Sequence, residues 1–388
     1  MLSSCRILAR LAAVDLVKLV ITQANLILKG GAEEVVLEIA KHYNAKVYTA
    51  EYDRESTFGE YRDIDIEVIG KGERSGGSRM KQGLSYASAF YNFKVKEDYD
   101  VLNAHIAPSH WVSNKNERVL WYCHTPLREI YDLYSYRMAL RKPYKRPVYA
   151  AGAKILRSID RSMVKKIDRI VANSRNTASR IERYYRRDAD AVVGGGVDYK
   201  KYRNDSFGKY FFYPSRISPN KRQDYAIRAF GIFRKKHKGY RLVIAGQVSK
   251  EEGHQEYYKK MLEEAKKIGG IEVLSNVGSQ KMLDLYAEAR CVLYTPINED
   301  YGLVPLEGMA SGKPVIAVNE GGPKETIVDR KTGYLVNSEA EMAERMGRVA
   351  DDESLAETLG KNGRKRVASE YSWERFFERF DRELSKVR

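Results

Sequence analysis

Two carboxylates eight residues apart bracket the segment Glu299-Asp300-Tyr301-Gly302-Leu303-Val304-Pro305-Leu306-Glu307. A carboxylate can accept paired hydrogen bonds from two vicinal hydroxyls, which a sugar and a ribose each present. Glu299 ends the loop behind a strand expected over 291–295, and Glu307 falls on the helix that follows. Gly302 lets the backbone bend there and expose N–H groups at the helix start, where the dipole favours phosphate. One acid for each ring, with amides between them, is the chemistry of a nucleotide-sugar pocket. The alternative is two solvated acids near a loop, and the pattern as a whole argues against it.

Further candidates lie elsewhere. Ser215-Arg216-Ile217-Ser218-Pro219-Asn220-Lys221 follows a second-half strand, and Pro219 sets a turn that lets Arg216 and Lys221 converge. An arginine fork and a lysine point charge together suit a pyrophosphate, although two surface cations would read the same way. Gly30 and Gly31 sit where the first strand hands over to the first helix, so phosphate could approach the backbone. A plain tight turn is the alternative, and the lack of a GxGxxG counts against a dinucleotide cofactor. His124, in Trp121-Tyr122-Cys123-His124-Thr125-Pro126-Leu127-Arg128, closes another strand where ligands gather; it could equally be a core or capping histidine.

The elements that must position these residues alternate. Strands are expected over 16–22, 46–49, 64–69, 101–104, 119–123 and 170–172, with helices over 32–42 and 176–185. A polar, turn-rich stretch, Tyr202 to Gly208, reads as a linker. Strands then recur over 211–214, 241–245, 271–274, 291–295 and 314–318, with helical segments over 224–236, 257–268, 281–289 and 306–311. Short β-branched runs alternating with amphipathic segments signal βαβ units and parallel sheets, so two α/β lobes in tandem are expected. After Ser372, a helix-start residue, Phe376, Phe377, Phe380 and Leu384 form an apolar stripe at helical spacing.

A chain of 388 residues suffices for two such domains. The net charge of +16 asks for an acidic partner: nucleic acid, an anionic membrane surface or a phosphorylated substrate. The stretch from Arg137 to Arg186 is especially basic, and it could line a membrane, hold phosphates or simply be a solvated face. Cys5, Cys123 and Cys291 lie far apart with no CxxC, which implies a reducing compartment with neither disulfides nor a zinc site. The first dozen residues read as an extension, too interrupted by charge to span a membrane, so any membrane contact is expected to be peripheral.

Taken together, Glu299 and Glu307, the Arg216/Lys221 pair, Gly30-Gly31 and Glu320-Gly321-Gly322-Pro323-Lys324-Glu325-Thr326 resemble the retaining glycosyltransferases of family 4 (glycosyl transferases group 1). The similarity runs over nearly the whole chain from about Leu16. It implies the GT-B fold: two Rossmann-like lobes, a donor cleft between them and a C-terminal helix crossing back to the first lobe. The expected divisions are 1–203 for the acceptor lobe, 204–371 for the donor lobe and 372–388 for the returning helix. The resemblance also implies roles. Arg216 and Lys221 would neutralise the donor diphosphate, Glu307 would bind the ribose and Glu299 the transferred sugar. Amides near Gly302 and Leu303 would reach sugar and phosphate, and Asn276-Val277-Gly278 would meet the nucleobase. Gly30 and Gly31 would close on the phosphates, and His124 would sit beside the sugar. His124, Glu299, Arg216 and Lys221 are therefore the expected catalytic group.

No metal and no cofactor are expected, since cations and helix ends can stabilise a leaving diphosphate; Asp63-Ile64-Asp65 and Asp188-Ala189-Asp190 sit in the wrong contexts for a metal. The stretch from Tyr122 to Arg128 is similar to one in mannosyltransferases of surface-polysaccharide and lipid-linked oligosaccharide assembly. It favours GDP-mannose over a UDP-sugar, mannose over glucose, and a glycan or lipid-linked acceptor. Nucleic acid is then not an expected partner, and the expected location is cytoplasmic, with peripheral contact at the cytoplasmic membrane face. The first loop (Ala24-Asn25) and the N-terminal extension depart from the family pattern, on the acceptor side. The competing readings are a nucleotide-sugar epimerase or phosphorylase on the same fold, and a non-catalytic basic protein that binds nucleic acid or membrane.

Overall fold

The computed structural model describes residues 17–70, 79–139, 141–248 and 254–387. The N-terminal extension, Cys5 and the first residue of the strand expected from Leu16 lie outside the described residues.

The chain divides into two compact units, one made of residues up to Val193 plus the segment from Glu378, the other of Gly194–Phe377. In the first unit the elements run β1 (Leu19–Gln23), α1 (Gly31–Tyr43), β2 (Lys46–Thr49), β3 (Ile66–Val68), α2 (Arg79–Asn92), β4 (Val101–Ala104) and β5 (Val119–Cys123). They continue with α3 (Tyr134–Ala139), α4 (Arg146–Lys165), β6 (Arg169–Ala172), α5 (Arg175–Tyr185) and β7 (Ala191–Val192). The sheet order is β3-β2-β1-β4-β5-β6-β7, with parallel pairing throughout. β1, β4 and β5 are buried along their whole length, as apolar strands covered on both faces must be.

The second unit repeats the plan. It contains β8 (Tyr210–Pro214), α6 (Gln223–Arg234), β9 (Arg241–Ala245), α7 (His254–Ile268), β10 (Ile271–Leu274), α8 (Ser279–Glu288) and β11 (Cys291–Tyr294). Next come α9 (Leu303–Ala310), β12 (Val315–Val318), α10 (Pro323–Thr326), β13 (Gly333–Val336), α11 (Glu339–Asp351) and α12 (Glu353–Glu370). The sheet order β10-β9-β8-β11-β12-β13 is again parallel. Each sheet thus reverses its direction of growth once, between β1 and β4 and between β8 and β11. Loops leaving the carboxyl ends of such neighbours diverge to opposite faces and open a crevice for ligand.

The last helix, α13 (Trp373–Leu384), begins in the second unit and ends in the first. Ser372 Oγ accepts from the Arg375 N–H at 3.4 Å, the N-cap that its residue type implied. Phe380 is fully buried, edge-on to Tyr43 and Tyr122, and Asp381 accepts from Tyr43 Oη at 2.5 Å. Arg169 pairs with Glu383 in the same unit. Truncating Phe380 would cost about 3–5 kcal/mol, the usual price of a large aromatic deleted from a core.

The stretch Tyr202–Gly208, expected as a linker, is packed onto the second unit. Tyr202 lies edge-on to Tyr286, the Asp205 N–H donates to Ala287 O at 2.9 Å, and buried Lys313 reaches Asn204 Oδ1 and Ser206 O, each at 2.5 Å. Polarity there serves inward hydrogen bonds as well as solvent. Cys123 and Cys291 are buried free thiols.

Candidate active site

The loop after β8 and the loop after β11 leave the second sheet at its reversal point. Pro219–Lys221 forms a 3-10 turn with proline at its start, and Arg222 follows in the left-handed region at φ +51°. Hydrogen bonds hold the turn in place. Tyr213 Oη donates to Lys221 O and lies 3.0 Å from Thr295 Oγ1, which donates to Arg222 O at 2.8 Å. The Arg222 guanidinium donates to Thr295 O at 2.7 Å, to Pro296 O at 3.2 Å and to Glu320 Oε1 at 2.8 Å. One arginine therefore stitches the two loops and the segment after β12 together.

The consequence is a direct contact between two candidates. Lys221 Nζ lies 2.5 Å from Glu299 Oε2 and 5.7 Å from the centre of the Tyr294 ring. Burial, followed by the Glu299 carboxylate, pushes the Tyr294 hydroxyl well above its ordinary pKa, so it stays protonated beside the acid. Arg216 is exposed on the same loop, and its carbonyl accepts from Gln223 Nε2 at 2.8 Å.

Glycine is required where the Glu299 loop is supported. A Cβ on Gly321 (φ +59°) would lie 2.3 Å from Glu299 O, and one on Gly322 would lie 2.2 Å from Tyr301 O. The Gly322 N–H donates to Glu299 O at 2.8 Å, and Asn298 N–H donates to Glu320 Oε2 at 3.1 Å. Gly302, at φ +84°, caps α9. Pro305 at the third helical position has no N–H, which leaves the amides of Leu303 and Val304 as the first-turn donors without an intrahelical partner. They are the groups α9 can offer an anion.

Glu307 is held by Tyr286 Oη, which donates to its Oε2 at 2.5 Å. Tyr286 is itself buried edge-on against Phe212 and Tyr202, and burial with the Glu307 charge raises its pKa far above normal. Val277 and Leu303 pack against one apolar cluster that contains Tyr286, Tyr294 and Leu306. The second unit thus gathers Lys221, Glu299, Gly302, Leu303, Glu307 and Val277 around the carboxyl edge of one sheet.

In the first unit the reversal point lies between β1 and β4. Gly30 is the extended N-cap of α1, and a Cβ there would meet Glu33 Oε2 at 2.4 Å and Leu28 Cδ1 at 2.8 Å. The buried Glu33 carboxylate therefore folds back over the helix start that Gly30 and Gly31 begin, as a capping-box acid does at the third position. At the ends of β4 and β5 the buried residues Asn103, His105 and His124 form a chain. Asn103 Nδ2 donates to Leu120 O at 3.2 Å, which leaves its Oδ1 to accept from His105 Nε2 at 2.8 Å. His105 Nδ1 is then the acceptor for His124 Nε2–H at 3.0 Å. Burial holds His105 far below the usual histidine pKa and His124 down to about 3, so both rings are neutral. The tautomer leaves Nδ1 of His124 as an acceptor.

Sequence reasoning missed Arg222, Tyr286, Glu33, Asn103 and His105. His105 carried a readable signal, since it ends β4 as His124 ends β5. Tyr286 carried none, because it meets Glu307 only through the fold.

Known proteins resemble this chain in sequence and in fold. The family model described as Glycosyl transferases group 1 matches residues 198–366, and that described as Glycosyltransferase Family 4 matches residues 29–201. The mouse α-1,3/1,6-mannosyltransferase ALG2 is 28% identical over 404 residues, covering 92% of this chain and 94% of that protein. Its human counterpart is 27% identical over 401 residues, covering 92% and 93%. Among solved structures, Anabaena HepE in complex with UDP and glucose shares 16% identity with a TM-score of 0.73, covering 95% of this chain and 99% of that one. Sucrose-phosphate synthase from Thermosynechococcus elongatus shares 17% with a TM-score of 0.75, covering 96% and 100%. Those structures share the GT-B fold. The chain belongs to glycosyltransferase family 4, the glycosyl transferases group 1.

Proposed function

We propose that this glycosyltransferase moves mannose from GDP-mannose, with retention of configuration, to a glycan or lipid-linked acceptor. The observation that carries this reading is the Lys221–Glu299 contact at the reversal point of the second sheet. A lysine and a carboxylate side by side support reading the one as a cation for phosphate and the other as an acceptor for sugar hydroxyls. The mannose assignment draws on the two mannosyltransferase relatives, each matched over 92% of this chain.

In this mechanism Lys221 and Arg216 take the diphosphate charge, and the Leu303 and Val304 amides add the helix end. Glu307, oriented by Tyr286, accepts from the ribose hydroxyls, and Val277 lies against the base. Glu299 exchanges its lysine for sugar hydroxyls. The bond from the anomeric carbon to the diphosphate breaks as the acceptor oxygen attacks from the same face. The acceptor proton passes to a phosphate oxygen. Charge stabilisation by cations and amides assigns no step to a metal ion.

A panel of nucleotide sugars tests the donor. GDP-mannose is expected to raise the melting temperature most, because only a ligand bound to the native state shifts it. NMR of the product then reads the anomeric configuration. Greater stabilisation by UDP-glucose, or an inverted product, would refute the reading. Epimerisation or phosphorolysis without an acceptor would favour the other enzymes on this fold.

A further inference from the structure

Residues 133–159 hold seven cations (Arg137, Arg141, Lys142, Lys145, Arg146, Lys154 and Arg157) and no acid. The segment contains α3, the turn Pro143–Lys145 and most of α4. Among the described residues, the three most exposed large apolar side chains all lie here: Val148 at 75%, Tyr144 at 69% and Ile155 at 61%. Val148 and Ile155 are seven residues apart on α4 and so share one face. Ala151 and Gly152, between them on that face, are too small to cover either.

The opposite face of α4 is anchored. Asp160 is fully buried and accepts from Trp111 Nε1 at 2.8 Å and Tyr131 Oη at 3.1 Å, with His110 Nε2 at 2.9 Å. Met163 and Val164 are buried beside it. Some cations are also turned to internal work: Arg157 Nε donates to Ile130 O at 2.5 Å, and Arg137 pairs with Glu129. Lys142, Lys145, Arg146 and Lys154 remain exposed around the apolar residues.

We propose that this face of α4, with the turn before it, docks on an anionic lipid surface. Val148, Ile155 and Tyr144 enter the boundary between headgroups and acyl chains, and the lysines lie over the headgroups. The charge selects the partner. Two copies of this face would repel each other, and a basic partner would find no acid on the segment. Aliphatic tips gain nothing from phosphates or base edges, whereas removing them from water into acyl chains is favourable. The proposal deepens the reading of a lipid-linked acceptor, and its experiment uses neither donor nor acceptor.

The full chain is sedimented with vesicles of phosphatidylcholine alone and with roughly a third phosphatidylserine, a composition giving a negative surface potential. Binding is expected only to the mixed vesicles and is weakened by salt. Lys145→Ala with Lys154→Ala should lower the partition coefficient about 25-fold, at about fivefold per cation. Val148→Asp with Ile155→Asp should lower it on the order of tenfold or more. Both double variants should keep the wild-type melting temperature, since these side chains are exposed. Equal binding to neutral vesicles, wild-type binding by either variant, or binding to duplex RNA in place of vesicles would overturn the proposal. GDP-mannose stabilisation of the same samples reports on the donor reading separately.

Discussion

Lys221 Nζ and Glu299 Oε2 sit 2.5 Å apart, with the lysine side chain 13% exposed and the glutamate 22%. The sequence separates them by 78 residues, yet the reversal between β8 and β11 makes them neighbours. Partly buried charges of this kind lose hydration, and the pairing offsets it. In the proposed mechanism a donor would offer each a replacement, phosphate for the lysine and hydroxyls for the carboxylate, so that binding would be an exchange of partners.

Tyr286→Phe removes the hydroxyl that orients Glu307 and leaves the ring packing intact. If Glu307 meets the ribose, the loss falls on donor binding. The donor KM is expected to rise about tenfold, the effect of one hydrogen bond to a charged group, with kcat nearly unchanged. Steady-state kinetics against donor concentration measures both constants, and a fall in kcat at constant KM would speak against the role.

Acid should destabilise the protein through the histidine pair. His124 is held down to about 3 and His105 well below normal, both mainly by burial, so the unfolded chain binds more protons below pH 6.5. Stability is complete above the ordinary histidine value and is lost as pH falls toward the folded value. The His124 share is on the order of a few kcal/mol. Urea unfolding from neutral pH downward should show a shallower acid limb in His124→Gln.

Lys313 works in the opposite pH range. It is fully buried, and burial lowers its pKa to about 7, with Asp205 opposing and Arg290 assisting. Below that value both states carry the charge, and the folded state bears its desolvation. As pH rises from about 7 toward 10.5 the unfolded chain binds more protons, so stability increases. Melting temperatures followed across this range should climb less steeply in Lys313→Met, which fills the same space without a charge.

Gly322→Ala would press a methyl group against Tyr301 O, 2.2 Å from the ideal position. Relief requires moving the loop that carries Glu299. A stability loss of about 1–3 kcal/mol is expected, typical of forced overpacking. Thermal melting gives that number, and turnover should fall further than the loss of folded protein explains.

Strands such as 101–104 and 119–123 were readable to the residue, because a parallel strand buried along its whole length is a short and mostly apolar run. Helices α2, α4, α11 and α12 were not placed. α4, for example, opens with Pro147 in its first turn inside a run rich in cations, so that its start reads as loop. In the site, Glu299 and Glu307 were legible from their spacing and Gly302, since those relations are local. The Lys221 contact, the Tyr286 brace and the stitching by Arg222 depend on which strands lie side by side, and local pattern does not carry sheet order.

The proposed action of Lys221 and Glu299 on the donor is tested most directly by the turnover of Lys221→Ala. Mannosyl transfer from GDP-mannose to a lipid-linked acceptor would be measured at saturating donor, beside wild type and Glu299→Ala. Removing a charge-stabilising group should lower kcat by about 100- to 1,000-fold while the variant stays folded. Turnover equal to wild type in either variant would contradict the account.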